Sequence, residues 1–119
     1  MLDENGVISY LEAGLKASQL RGTVIANNIA NLTTPGYRRR EVDFEKLLAE
    51  AMQGTSTSPS EIEPQVFQPK NTPVKGNGND VVPEAEIGKM VQNSAMYKTY
   101  MRLMARRYRQ MEMAMSSNR

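Results

Sequence analysis

The chain has 119 residues, 39% of them hydrophobic and 6% aromatic, with two Phe and no Trp, so it is one small domain with little material for a private core. It has no Cys and no His, which excludes disulfides, imidazole or thiolate nucleophiles and the usual zinc ligands. The net charge of +2 is unevenly spread: residues 87–119 carry seven basic groups and one acidic, whereas residues 54–86 carry two basic and five acidic.

Residues 1–7 read as a loose lead-in. From Ile8 an unbroken three-four alternation runs through Ile8, Leu11, Leu15, Ser18, Gly22, Ile25, Ile29 and Leu32, the pattern of a helix that lays a narrow stripe on another helix. Ser9 with Glu12 fits a capping box and Asn5 an alternative cap. The helix is expected to stop near Leu32 or Thr33, because Pro35 lacks a donor and pushes Thr34 out of the helical region. Pro35-Gly36 suits the centre of a type II turn. Gly14 and Gly22 each weaken an isolated helix by about 1 kcal/mol. At the seam positions Ser18 and Gly22, two readings stand equally: a weak spot, or a place where another helix comes close. Asn27, Asn28 and Asn31 crowd the helix end, as a solvated last turn or as amides that bond the following turn or a partner.

Arg38-Arg39-Arg40 is followed at once by Glu41, Asp43 and Glu45. That mixture predicts a salt-bridge cluster rather than a nucleic-acid patch, for the acids cancel the bases and no aromatic platform is interleaved. Asp43 is expected to cap a short helix through Met52, with Phe44, Leu47, Leu48 and Ala51 on one side. Residues 54–79 change character. Pro59, Pro64, Pro69 and Pro73 forbid a helix, so an extended surface loop with at most one short strand is expected around Val66-Phe67. Asn77-Gly78-Asn79-Asp80 reads as a turn, with Asp80 or a near neighbour capping the last helix and Pro83 in its first turn. Glu84 and Glu86 suit the positive end of that helix's dipole.

The last helix repeats the seam as Ile87, Met90, Ser94, Tyr97, Met101, Met104, Tyr108, Met111 and Met115, and holds seven of the nine methionines. Met repacks readily against unlike surfaces, so the stripe is expected to serve neighbouring molecules as well as the first helix. The predicted fold is mainly α, with two long heptad helices, a short middle helix and an irregular Pro-rich loop with little or no β. Three segments make one unit: residues 1–36, residues 37–80 and residues 81–119. No apolar run approaches the roughly 20 residues that span a bilayer, and Met1-Leu2-Asp3-Glu4 does not open like a cleaved secretory signal. No catalytic, cofactor or metal site is expected.

Ala26-Asn27-Asn28-Ile29-Ala30-Asn31, two residues, then Thr34-Pro35-Gly36-Tyr37 resembles the N-terminal signature of the bacterial flagellar rod and hook proteins. A second block agrees: Gly78-Asn79-Asp80-Val81, then Glu86, Asn93 and Tyr97, resembles the C-terminal region of the small proximal-rod members. The resemblance covers most of the chain, and the Met- and Arg-rich last turns depart from the usual pattern. It implies a structural subunit of the flagellar basal body, exported without signal cleavage through the type III apparatus into the periplasmic rod. There it would meet copies of itself, other rod proteins and the FliE adaptor, with the terminal helices as a coiled-coil wall and with no nucleic acid or small-molecule substrate. The alternatives are another small rod protein, or a homo-oligomeric coiled coil binding nucleic acid through its basic last helix.

Overall fold

In the computed structural model, which describes residues 4–53 and 59–117, the heptad stretches form two long helices that run antiparallel and bracket the middle of the chain. Helix α1 spans Glu4–Ala30 and α3 spans Pro83–Ser117. Between them lie a strand β1 (Glu41–Asp43), a helix α2 (Glu45–Met52), a short 3-10 turn (Pro59–Glu61) and a strand β2 (Gln65–Phe67). The Thr/Ser-rich stretch expected after Gly54 lies mostly outside the described residues. β1 and β2 form an antiparallel pair with Val42 opposite Val66. The molecule is mainly helical and elongated, 68 × 28 × 15 Å.

Helix α1 starts at Glu4, earlier than the Ser9–Glu12 capping box would have it. The reason is tertiary: Val7 and Leu11 line a groove with Leu103 of α3, and that packing extends the helix past a weak local start. The regular helix ends at Ala30, two residues short of the expected stop. Asn31 N–H still reaches Asn27 O at 3.1 Å, but Leu32 N–H bonds Ile29 O at 3.2 Å, the tightened geometry of a last turn. Thr34–Tyr37 then closes a turn through Tyr37 N–H to Thr34 O at 3.3 Å, with Gly36 at φ +76° as a type II turn requires.

Two acidic caps expected from the sequence are absent. Asp43 belongs to β1, and Phe44 takes the cap position of α2 without a side-chain bond. Phe44 is there because its ring is the largest fully buried apolar group, in a cluster with Ala13, Ala17, Val24, Val42, Leu48 and Ile62. Burial of that ring, on the order of 2–3 kcal/mol, outweighs a surface cap of about 1 kcal/mol. The other cap, Asp80, is three residues ahead of Pro83 and is engaged elsewhere. The expected apolar side of α2 holds: Leu47 and Ala51 pack on the same cluster.

The two seams behave differently. On α1, Leu11, Ser18 and Ile25 are buried, while Ile8, Leu15, Gly22 and Ile29 are half-buried, as is Leu32 in the turn just beyond the helix. On α3, Tyr97, Met104 and Met111 are half-buried, but Ile87, Met90, Ser94, Met101, Tyr108 and Met115 are exposed. The row of α3 that meets α1 lies one residue earlier at every second position: Glu86, Asn93, Tyr100 and Arg107, seven apart and all buried or half-buried.

Candidate functional site

The turn after α1 and the turn before α3 interlock. Gly36 N–H donates to Asn77 O at 2.9 Å, and Asp80 N–H to Tyr37 O at 3.4 Å. Gly36 and Gly78 face each other, both at positive φ, and a Cβ on Gly78 would sit 3.2 Å from Gly36 Cα. That backbone conformation and that closeness both select glycine.

Asn28 is the hub on the α1 side. It is 1% exposed, and every bond its amide can make is filled. Nδ2 donates to Arg40 O at 2.9 Å and to Glu86 Oε2 at 3.1 Å; Oδ1 accepts from Tyr37 Oη at 2.9 Å and from Arg40 N–H at 3.0 Å. Asn79 is its counterpart before α3. Its Nδ2 donates to Asn31 O at 2.8 Å and Thr34 O at 2.9 Å, and its Oδ1 accepts from Val81 N–H at 2.8 Å. Asn31 Nδ2 bonds Asn27 O, and Thr34 Oγ1 bonds Asn31 Oδ1. Val81 is fully buried; Asn27 and Pro35 are exposed, and Ile29 is half-buried.

Asp80 ties the arginine run to this junction. Its side chain is inaccessible to solvent and accepts from Arg39 N–H and, at 3.0 Å, from Arg38 Nε. Burial by itself would raise the Asp80 pKa; the Arg39 N–H and the Arg38 guanidinium outweigh it and hold the carboxyl below its ordinary value. Arg39 reaches the connector, donating Nε to Thr72 Oγ1 at 2.7 Å and Nη2 to Asn71 Oδ1, with Nη1 3.1 Å from Glu41. Burial raises the Tyr37 pKa; Arg40 opposes that, and Glu86 and Asp80 add to it. The phenol therefore stays a neutral donor to Asn28.

Farther along, the helix pair is spaced by small residues. Asn93 Nδ2 donates to Ser18 O at 2.8 Å and stands 3.5 Å from where a Cβ on Gly22 would be. At Gly14 the Tyr100 ring occupies the space a Cβ would take. That ring also meets Tyr10, with centroids 6.4 Å apart. Arg21 forks onto Glu45 at 2.6 and 2.8 Å and onto Val42 O at 3.0 Å, which fixes α1 to the start of α2. Among the residues singled out from sequence, Asn28, Asn31, Thr34, Gly36, Tyr37, Asn79, Val81 and Glu86 meet at one junction, with Asn93 two turns further along α3. The contact of Gly14 with Tyr100 has no counterpart among the sequence expectations, whereas the salt-bridge cluster expected of the arginine run is present as Arg39–Glu41 at 3.1 Å, and Asp80 takes part by accepting from Arg38 and Arg39 instead of capping α3. The signal for Tyr100 was present as the third member of the spacing Glu86, Asn93, Tyr100.

A buried polar network built on a fully bonded amide hub specifies one geometry, although Glu86 Oε1 and Arg39 Nη1 at its edges have no hydrogen-bond partner among the described residues. What the site can do is mechanical: it holds two helices from opposite ends of the chain in fixed register. The family model described as "Flagella basal body rod protein" matches residues 10–38, which are most of α1 and the turn with Tyr37. The flagellar basal body rod protein FlgB of Aeromonas hydrophila is 32% identical over 102 residues, covering 76% of this chain and 77% of that protein. The chain belongs to the flagellar basal body rod protein family. FlgB of Bacillus subtilis (strain 168) is 29% identical over 104 residues, 79% of this chain and 81% of its own. FlgB of Escherichia coli (strain K12) is 29% identical over 117 residues, 82% of this chain and 85% of its own. In this rod-family chain the matched signature and the Asn79–Glu86 block are two halves of one intrachain clasp.

Proposed function

We propose that this rod-family chain is a structural subunit of the flagellar basal-body rod, built into the proximal part of its axial shaft. The observation that carries the reading is the 35-residue helix α3, whose apolar stripe is left bare while the clasp holds it in register with α1. Ile87 is 57% exposed, Tyr108 51% and Met115 72%. A rigid two-helix unit with an uncovered stripe is a subunit waiting for neighbours, and non-closing contacts between such units give a filament.

Other rod proteins and the FliE adaptor are the partners this reading implies, in the periplasm, after delivery by the flagellar export apparatus without signal cleavage. Among the described residues no helix is long and apolar enough to cross a membrane. The motif Asn27–Tyr37 and the helix seams serve assembly by fixing the angle at which α3 is presented. A clean deletion tests the reading: cells should lose filaments and motility, and purified basal bodies should lack the proximal rod by electron microscopy. Motile, filamented deletion cells would refute it.

A further inference from the structure

The turn that enters α3 carries the dipeptide Asn77-Gly78. In such a pair the main-chain nitrogen of the second residue is within reach of the side-chain amide of the first, and glycine has no Cβ to shield it. Asn77 is exposed to water and Gly78 is half-buried. Both are bound into the clasp. Asn77 O accepts from Gly36 N–H at 2.9 Å, Asn77 Oδ1 accepts from Asn79 N–H at 3.1 Å, and Gly78 N–H donates to Lys75 O at 2.9 Å. Gly78 has φ +86°, and a Cβ there would meet Gly36 Cα at 3.2 Å. The clasp itself therefore demands the residue that leaves this nitrogen bare.

We propose that Asn77-Gly78 is a self-modification site, protected while the clasp is closed and reactive when it opens. Water is the only co-reactant. Gly78 N gives its proton to solvent and bonds Asn77 Cγ, closing a succinimide ring, while Asn77 Nδ2 takes up a proton and leaves as ammonia. Water then opens the ring. Adding to Cγ breaks the new bond and leaves an aspartate. Adding to the main-chain carbonyl carbon breaks the original peptide bond and leaves isoaspartate, whose main chain runs through Cβ and Cγ and is one atom longer. The closed clasp opposes the first step twice over. Gly78 N–H is engaged with Lys75 O, and turning Cγ onto the nitrogen means rotating a peptide that Gly36 N–H pins through Asn77 O. Isoaspartate in turn undoes the clasp. The carbonyl that accepted from Gly36 N–H becomes a carboxylate off the main chain, and the added atom shifts Gly78 against Gly36. The change is one-way and marks chains whose clasp has stood open.

The test incubates the free full chain in mildly alkaline buffer. Peptide mapping by mass spectrometry follows Asn77, and enzymatic methylation counts isoaspartate. Asn5-Gly6, the same dipeptide in the first described turn of α1, is the internal reference. When reclosing is fast, chemistry on an opened state follows the population of that state. Asn77 should convert at least about tenfold faster in Asn28→Ala than in the wild type, the ratio that ~1.4 kcal/mol of added opening gives, with the rate at Asn5 unchanged. Urea below the unfolding midpoint raises opening without a substitution, so the wild-type rate at Asn77 should climb with it even where Asn28→Ala does not fold. Molecules carrying isoaspartate, separated by charge, should lose amide protection at Gly36. Equal rates at Asn77 in folded and fully unfolded chain, no isoaspartate there in the unfolded chain, or native protection of Gly36 in the modified molecules would overturn the proposal.

Discussion

Helices α1 and α3 follow the same heptad rule and end in different surroundings. Leu11, Ala13, Ala17, Val24 and Ile25 of α1 are buried, with α3 on one side and the β1–α2 layer on the other. In α3 the one fully buried residue among those described is Glu86, and it is held by a hydrogen bond. α1 is therefore the spine of the fold, and α3 is an arm attached to it by polar bonds and small-residue contacts. The same sequence pattern serves folding in one helix and leaves a surface for assembly in the other. What decides between them is whether the rest of the chain supplies a second layer.

The largest way to break that difference is to remove the layer over α1. Phe44→Ala should cost about 3–5 kcal/mol, because the ring is 1% exposed at the centre of the cluster. Urea unfolding measures it. A loss under 1 kcal/mol would mean that α1 is not supported from that side. Next comes the clasp. Asn28→Ala removes a donor from Glu86 and unpairs Arg40 N–H and Tyr37 Oη, so a loss on the order of 2–4 kcal/mol is expected, with α3 exchanging amide hydrogens faster than α1.

The clasp also carries an acid limit. The Asp80 pKa is lowered on folding, so its contribution is present above the unfolded value of about 3.9 and is lost as pH falls through the lower folded value. Stability should be flat near neutrality on this account and fall in the acid region. In Asp80→Asn that part of the acid slope should vanish while the neutral-pH stability drops. An unchanged acid slope would assign the effect to other carboxylates.

The α1 seam was legible because its buried members are mostly apolar, and the period alone places Leu11 and Ile25. The α3 contact row was not, because Glu86, Asn93, Tyr100 and Arg107 score as polar or aromatic, and a search for apolar residues settles on the exposed row beside them. Asp43 and Asp80 were misplaced for a related reason: each has the right chemistry for a cap, and tertiary partners far in sequence set a different role. The turn Thr34–Tyr37 was readable from local rules, whereas the interlock with Asn77–Asp80 joins segments about 40 residues apart and has no local signature. The clasp's membership is readable from the resemblance, and of its bonds the reach of a helix-end amide to the turn that follows is one of the two readings the sequence leaves open, realised by Asn28; its bond to Glu86 is not legible.

Gly14 sharpens the comparison at a smaller scale. The Tyr100 ring fills the space of a Cβ there, so Gly14→Ala should destabilise the pair by about 1–3 kcal/mol through overpacking. In a Tyr100→Ala background the same change should become favourable by up to ~1 kcal/mol, the ordinary helix preference for Ala. A double-mutant cycle reads the reversal, and additive losses would show that the ring does not rest on Gly14.

The smallest effect lies at the free end of α3. Gly14 faces Tyr100, Gly22 faces Asn93 and Asn28 bonds Glu86, a register that sets Glu4 level with Gln110. Glu112–Ser117 therefore runs past the first described turn of α1. There Met113 is 70% and Met115 72% exposed, so intrinsic propensity does most of the holding, and a short helix end is marginal on that alone. Met113→Ala should change the stability of the free chain by less than about 0.5 kcal/mol. Amides of this last turn and a half should exchange near unprotected rates in the monomer, while those around Ala17 and Val24 exchange only on global opening. In the assembled rod the same amides should become protected. Strong protection of Glu112–Ser117 in a verified monomer would mean that the arm is self-supporting and that the contrast with α1 is smaller than its burial implies.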